Sequence, residues 1–162
     1  MTLKTKRILL WTAVLAVMVM IFLFSSQNGE ESSELSGNVV EVVVETVIPE
    51  YEQMPVKKQE TIISVLTNFI RKGGHFCEYA LLGFFMLLLA DSYDLSKRKL
   101  AAWGGCTLYA ATDELHQLLV SERSGQFSDI MLDSAGGFAG VWAAVLLLWI
   151  CRRRRLTSQN KP

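Results

Sequence analysis

The sequence predicts an all-α polytopic membrane protein, with four transmembrane helices and an outer amphipathic helical segment between helices 1 and 2. Three observations predict it. Apolar residues make up 51% of the 162 residues, and they are gathered in long runs rather than scattered. The runs approach the roughly 20 residues that cross a hydrocarbon core of about 30 Å at about 1.5 Å per residue. The basic residues cluster at alternate ends of those runs, as they do in loops retained in the cytoplasm. Sixteen basic and sixteen acidic residues cancel, so total charge points to no polyanionic partner. The basic clusters read as topology signals, and no nucleic acid is expected as a partner.

The first run, 8–24, follows Lys4, Lys6 and Arg7. A signal peptide has the same layout, ending in a cleavage site. The run is long for a signal sequence, and Ser25-Ser26-Gln27-Asn28 holds no clear small-x-small site. An uncleaved first helix is favoured. Three spans, with the first run removed, would keep the same orientation for the rest.

Residues 25–70 form an extracytoplasmic acidic and amphipathic segment. Glu30, Glu31, Glu34, Glu41, Glu45, Glu50 and Glu52 make its first part acidic. Val39, Val40, Val43, Val44, Val47 and Ile48 recur at helical spacing with Glu41 and Glu45 opposite. The β-branched content leaves a strand open as the alternative. Pro49 and Pro55 bracket a turn. Ile62, Val65, Leu66, Phe69 and Ile70, behind Lys57 and Lys58, form a second amphipathic stretch. Such a stretch lies flat on a membrane surface or packs into an outer cap.

The second span, 71–91, has an apolar centre from Phe76 to Ala90 entered through Gly73-Gly74. Including Arg71 to His75 supplies the needed length and places charge at its outer end. The third span, 100–120, carries Asp113, Glu114, His116 and Gln117 near its end. The fourth, 130–150, carries Asp133 near its start. A cytoplasmic basic tail, 151–162, opens with Arg152 to Arg155, and the whole of 1–162 reads as a single membrane domain. Lys4, Lys6 and Arg7, then Lys97, Arg98 and Lys99, then the four arginines all fall on one side if there are four spans. Both termini are then cytoplasmic, and the polar helix ends face away from the cytoplasm.

Counting from the cytoplasmic ends puts Glu78, Asp113 and Glu114 roughly 8–10 Å below the outer boundary. Lys72, His75, Gln117, Arg123 and Asp129 sit at or near that boundary, and Asp133 about one turn below it or less. Ionisable residues in a bilayer cost about 2.5–3.5 kcal/mol each on insertion scales, and they mark a functional site by default. Helical spacing gives them shared faces: Lys72, His75 and Glu78; His75 and Tyr79; Asp113 and Gln117; Asp129 and Asp133. Lys72 and Arg123 oppose five carboxylates, so protons, a charged histidine or a cation must balance the site. Crowded carboxylates suit general acid–base work. His75, Glu78, Asp113 and Glu114 are the candidate acids and bases. Lys72, Tyr79, Gln117, Arg123, Asp129 and Asp133 are candidate binding residues. A divalent cation is a candidate cofactor at Asp113, Glu114, Asp129 and Asp133. The plainer reading is a polar network that joins helices. Gly136-x-x-x-Gly140 is read as helix packing. Cys77, Cys106 and Cys151 have no disulfide or metal spacing and are read as inert buried thiols.

These residues resemble the VanZ-like membrane proteins. The chain has Ser25-Ser26-Gln27; Lys72, His75-Phe76, Glu78-Tyr79 and Leu82-Gly83; Asp113-Glu114 with His116-Gln117; and Arg123-Ser124-Gly125, Phe127-Ser128-Asp129, Asp133 and Gly136. The matches run in order along the chain, apart from the acidic stretch 28–60. The resemblance implies a bacterial cell-membrane protein of a family linked to teicoplanin resistance. Together with the acid-rich site, it leads us to expect action on, or binding of, a lipid-linked cell-envelope molecule or lipoglycopeptide. A non-catalytic envelope partner protein and a small oligomeric proton- or ion-coupled transporter are the other readings. The lipid membrane itself is an expected partner. Oligomeric state is left open.

Overall fold

A computed structural model of the chain describes residues 2–27, 37, 39–40, 42–44, 46, 48, 51–120 and 125–159. Arg123 and the acidic residues Glu30, Glu31, Glu34, Glu41, Glu45 and Glu50 lie outside the described residues. Four helices dominate: α1 (Leu3–Ser25), α2 (Val56–Ser92), α3 (Arg98–Gln117) and α4 (Phe127–Gln159), with a 3-10 turn at Tyr51–Gln53. No strand occurs among the described residues, and the described positions from 37 to 46 are helical, which settles the helix-or-strand question there. Local chemistry sets several ends. The Thr2 hydroxyl accepts from the Thr5 backbone N–H at 3.2 Å and caps α1. Pro55 leads into α2, where its fixed φ suits a helix start. Asp94, at φ 54°, takes the left-handed turn that separates α2 from α3.

Among the described residues, three helices are long and apolar enough to cross a membrane: Leu3–Ser25, Val56–Ser92 and Phe127–Arg154. α3 falls short by composition, because Asp113, Glu114, His116 and Gln117 dilute its apolar residues. Its buried face is Ala102, Cys106, Ala110, Asp113, Glu114 and Gln117. Leu100, Trp103, Leu108 and Leu115 point outward and are exposed. Beyond its first turn, which carries Arg98 and the exposed Lys99, the acidic residues Asp113 and Glu114 are inside and the large apolar ones outside, the reverse of a helix that faces water.

α2 departs from the expected segmentation. The stretch 62–70 is the same helix as 71–91, not a separate element. Nothing between Val56 and Ser92 can break it: there is no proline, and neither Gly73 nor Gly74 has positive φ. Two glycines cost about 1 kcal/mol each in a helix interior, too little to end a 37-residue helix supported by neighbours. At about 1.5 Å per residue it is about 55 Å long, well beyond a 30 Å core. Its N-terminal part exposes Ile63, Val65 and Phe69.

α2 is also the hub, packing on α1, α3 and α4. Cross-helix bonds give the directions. The Arg7 guanidinium, near the start of α1, donates to the Ser92 carbonyl at the end of α2, at 2.8 Å and 3.2 Å. It also lies over the Tyr93 ring, 4.1 Å from its centroid. Asp91 pairs with Arg98 at 3.3 Å and Arg152 at 3.0 Å. One end of the bundle therefore gathers the start of α1, the α2–α3 turn and the end of α4, and with them the basic clusters. The helices run up, down, up and down.

α2 and α4 meet on glycine. A Cβ at Gly136 would collide with the Phe76 carbonyl, one at Gly140 with the Ala80 carbonyl, and one at Gly83 with the Gly137 carbonyl. The Gly136-x-x-x-Gly140 spacing is therefore packing, and its partner is the α2 backbone. A Cβ at Gly137 would lie 2.8 Å from Cys106 Cβ, so α3 presses on the same seam. The apolar core between helices is Val14, Val17 and Ile21 of α1, Tyr79, Leu82 and Leu89 of α2, and Cys106 and Ala110 of α3. Of the three thiols, Cys106 is buried, whereas Cys77 and Cys151 are exposed on the helix exteriors; all three are free.

Candidate functional site

The opposite end of the bundle collects the polar residues. On α3, Asp113 and Gln117 stand one turn apart. The Gln117 side-chain amide donates to Ser25 Oγ at 2.9 Å and to Asp113 Oδ2 at 3.3 Å. That ties the end of α1 to the end of α3. Ser25, Asp113 and Gln117 are all buried. Beside them the Tyr109 hydroxyl donates to the Met18 carbonyl at 2.7 Å, and His116 stacks on Phe22 and shares a 3.1 Å hydrogen bond with the Ser26 hydroxyl.

Glu114 follows Asp113 directly, so it lies about 100° further round the helix. It turns away from Asp113 and accepts the Gln126 backbone N–H at 2.8 Å, just ahead of α4. α4 then supplies Asp129 and, one turn on, Asp133. Asp129 forms a close ion pair with Lys72 of α2 and accepts from Ser128 Oγ at 3.2 Å. Ser134, next to Asp133, shares a 2.7 Å hydrogen bond with Thr107, and the Trp103 indole donates to Ser134 at 3.1 Å. These bonds lock the rotation of α4 against α3.

That rotation points Asp133 inward. It is 2% exposed, the most buried of the described acidic residues. His75 of α2, Asp113 of α3 and Asp133 of α4 each offer one ligand atom, and all three atoms lie within 4.8 Å of one another. Glu78 Oε2 stands 3.8 Å from His75 Nδ1. Tyr79 is fully buried beneath them. The Glu78 Oε2, Tyr79 hydroxyl and Asp133 Oδ1 atoms are buried without a hydrogen-bond partner among the described residues. Such an atom costs about 1–3 kcal/mol unless something pairs with it. Native structures keep few of them, and those few call for a proton, a ligand, an ion or water.

A family model described as VanZ/LLP1 matches residues 10–149. The chain belongs to the VanZ/LLP1 family. The VanZ/LLP1 match takes in Ser25, both faces of α2 that carry site residues, the whole of α3, and Asp129 and Asp133. No curated protein and no solved structure matches the chain.

The site expected from sequence is thus sorted into parts. His75, Asp113 and Asp133 converge, with Glu78 and Tyr79 beside them. Lys72 is engaged by Asp129, so it offers less to a phosphate than its charge suggests. Glu114 caps the approach to α4. Gln117 holds Asp113 in place. Of the four carboxylates expected to share a cation, only Asp113 and Asp133 come together with His75. Arg123 lies outside the described residues. Ser25, Tyr109, Trp103, Thr107 and Ser134 were not singled out as site residues, since each is uncharged and common in apolar helices. Their signal is position, on the same helical level as the charges, and for Ser25 also its place in Ser25-Ser26-Gln27.

Proposed function

We propose that this VanZ/LLP1 protein spans the bacterial cell membrane four times, with its basic end in the cytoplasm. Its polar end then acts on or binds a lipid-linked cell-envelope molecule, a lipoglycopeptide included, at the outer leaflet. One observation carries the reading: α3 buries Asp113, Glu114 and Gln117 between helices while its outer face is leucine and tryptophan. Charged residues are tolerated in a bilayer when they face a bundle interior and serve a site. On this reading α3 is the third of four spans despite its composition. The basic clusters at one end support the orientation. Lys72, His75 and Asp129 then lie at the outer boundary, where an amphiphile's headgroup would meet them, and Glu78 and Asp113 lie about 8–10 Å below it.

His75 and Glu78 are positioned as an acid–base pair near the headgroup, and Asp113 and Asp133 as the acidic floor. Native mass spectrometry of the full chain released from its own membranes tests this. The expected result is a co-purifying lipid-linked species that is lost in Glu78→Gln and Asp113→Asn proteins of normal insertion. Finding only bulk phospholipid on the wild type, or equal retention by the variants, sinks the reading. Incubating the captured species with wild-type protein separates turnover from simple binding: a product means an enzyme, and unchanged stoichiometric capture means a binding protein.

A further inference from the structure

The convergence of His75, Asp113 and Asp133 has a chemical composition of its own. We propose that these residues bind one divalent transition-metal ion, of the zinc or manganese type, leaving its remaining coordination positions open. The inference rests on the reading above and changes one role in it: His75 becomes a ligand and Glu78 is left as the acid–base group, beside an ion that would touch whatever the site takes.

The donor set is the first argument. One imidazole nitrogen with two carboxylate oxygens suits zinc and manganese, and three protein ligands with an open position is the pattern of catalytic rather than structural sites. Geometry is the second. Ligand atoms about 2.0–2.2 Å from one ion lie at most about 4.4 Å apart. The three here lie within 4.8 Å, so small side-chain rotations close the set. The third argument is what the buried carboxylates lack. Asp133 is 2% exposed, and its Oδ1 has no hydrogen-bond partner among the described residues. Asp113 has the Gln117 amide, a neutral donor. Lys72, the described lysine at this level, is taken by Asp129. No ion pair among the described residues reaches Asp113 or Asp133. Two buried carboxylates facing one histidine need protons, a charged imidazole or a cation to balance them, and an ion of charge two is the balance that also fits the donor set. The fourth is the supporting layer. Ligating histidines are oriented by a neighbouring carboxylate, and Glu78 Oε2 stands 3.8 Å from His75 Nδ1, near enough to take that role.

Each ligand comes from a different helix, so the ion would clamp α2, α3 and α4 together. Metal binding is then visible as stability as well as content. The experiment uses the full chain without a polyhistidine tag, in lipid nanodiscs. Metal content is measured by elemental analysis as purified, after chelation, and after reloading with Zn2+ or Mn2+ alone. Thermal unfolding is followed on the same samples. The expected result is one ion per chain, a lower Tm after chelation, and recovery on reloading. Asp133→Asn and His75→Gln should bind at least about tenfold more weakly, and Glu78→Gln about 10–100-fold. The exposed Glu60→Gln should bind like wild type. Absence of stoichiometric metal from both native and reloaded protein, or unchanged binding by Asp133→Asn and His75→Gln, would overturn the proposal. Should those variants fail to fold, the Mn2+-loaded wild type decides: spin-echo spectroscopy must show one directly bound imidazole nitrogen, and its absence overturns the assignment. Metal bound with no captured lipid sinks only the functional reading; captured lipid with no metal sinks only this one.

Discussion

Replacing Gly140 by alanine drives a methyl group into the backbone of α2. The new Cβ would sit 2.6 Å from the Ala80 carbonyl carbon and 2.9 Å from its Cα. Carbon atoms at rest against each other are about 3.5–4.0 Å apart. The Ala80 carbonyl oxygen would be closer still, so the helices must part by more than about 1 Å, because a helical carbonyl has no rotamer to turn away. Overpacking of this kind costs about 1–3 kcal/mol, sometimes more. Alanine recovers about 0.5–1 kcal/mol of helix propensity. The steric cost is the larger, so Gly140→Ala should be destabilising, by up to about 2.5 kcal/mol on these two figures. Gly104→Ala makes the comparison, because a Cβ there meets nothing within 4 Å. It should be neutral or stabilise by up to about 1 kcal/mol. Equilibrium unfolding in mixed micelles, read by circular dichroism, measures both. If Gly140→Ala matches or exceeds wild type, as Gly104→Ala should, the glycine seam is not the tight contact argued for here.

Tyr109→Phe removes the 2.7 Å bond to the Met18 carbonyl that ties α1 to α3. It should lower stability by about 0.5–1.5 kcal/mol in the same micelle assay; no change would mean the hydroxyl holds nothing. Reporter fusions test orientation. A fluorescent protein after Pro162 should fold and emit in the cytoplasm, and alkaline phosphatase inserted after Gln53 should be active outside. The reverse pattern would turn the bundle over and move the acidic end into the cytoplasm.

Much of the architecture was legible because membrane helices are written in long apolar runs with charged punctuation. α1 and α4 follow directly from that rule. α3 could be read only by allowing charges into an apolar run, and its inward stripe from Ala102 to Gln117 shows why they are tolerated. The start of α2 was misread at Gly73-Gly74. Paired glycines are weak helix formers, but without proline or positive φ they do not end a helix that packs along its length. The level of the site was readable from residue counting; the rotation was not. Asp113 and Glu114 share a depth yet face different partners, since 100° per residue separates neighbours on a helix. The pairing of Lys72 with Asp129, rather than with an incoming anion, depends on how α2 crosses α4. That crossing is set by Gly83, Gly136 and Gly140, whose spacing announces close packing without naming the partner helix.

The unbroken length of α2 has a mechanical consequence. Its exposed N-terminal turns, with Ile63, Val65 and Phe69, overhang the polar end. His75 and Glu78 sit further along the same rod, with no joint between. A load applied to the overhang, by a partner or by the bilayer surface, cannot be absorbed locally. It arrives at His75 and Glu78 as tilt or twist, and because α2 is the axle on which the other three helices rest, it arrives at every contact in the site together.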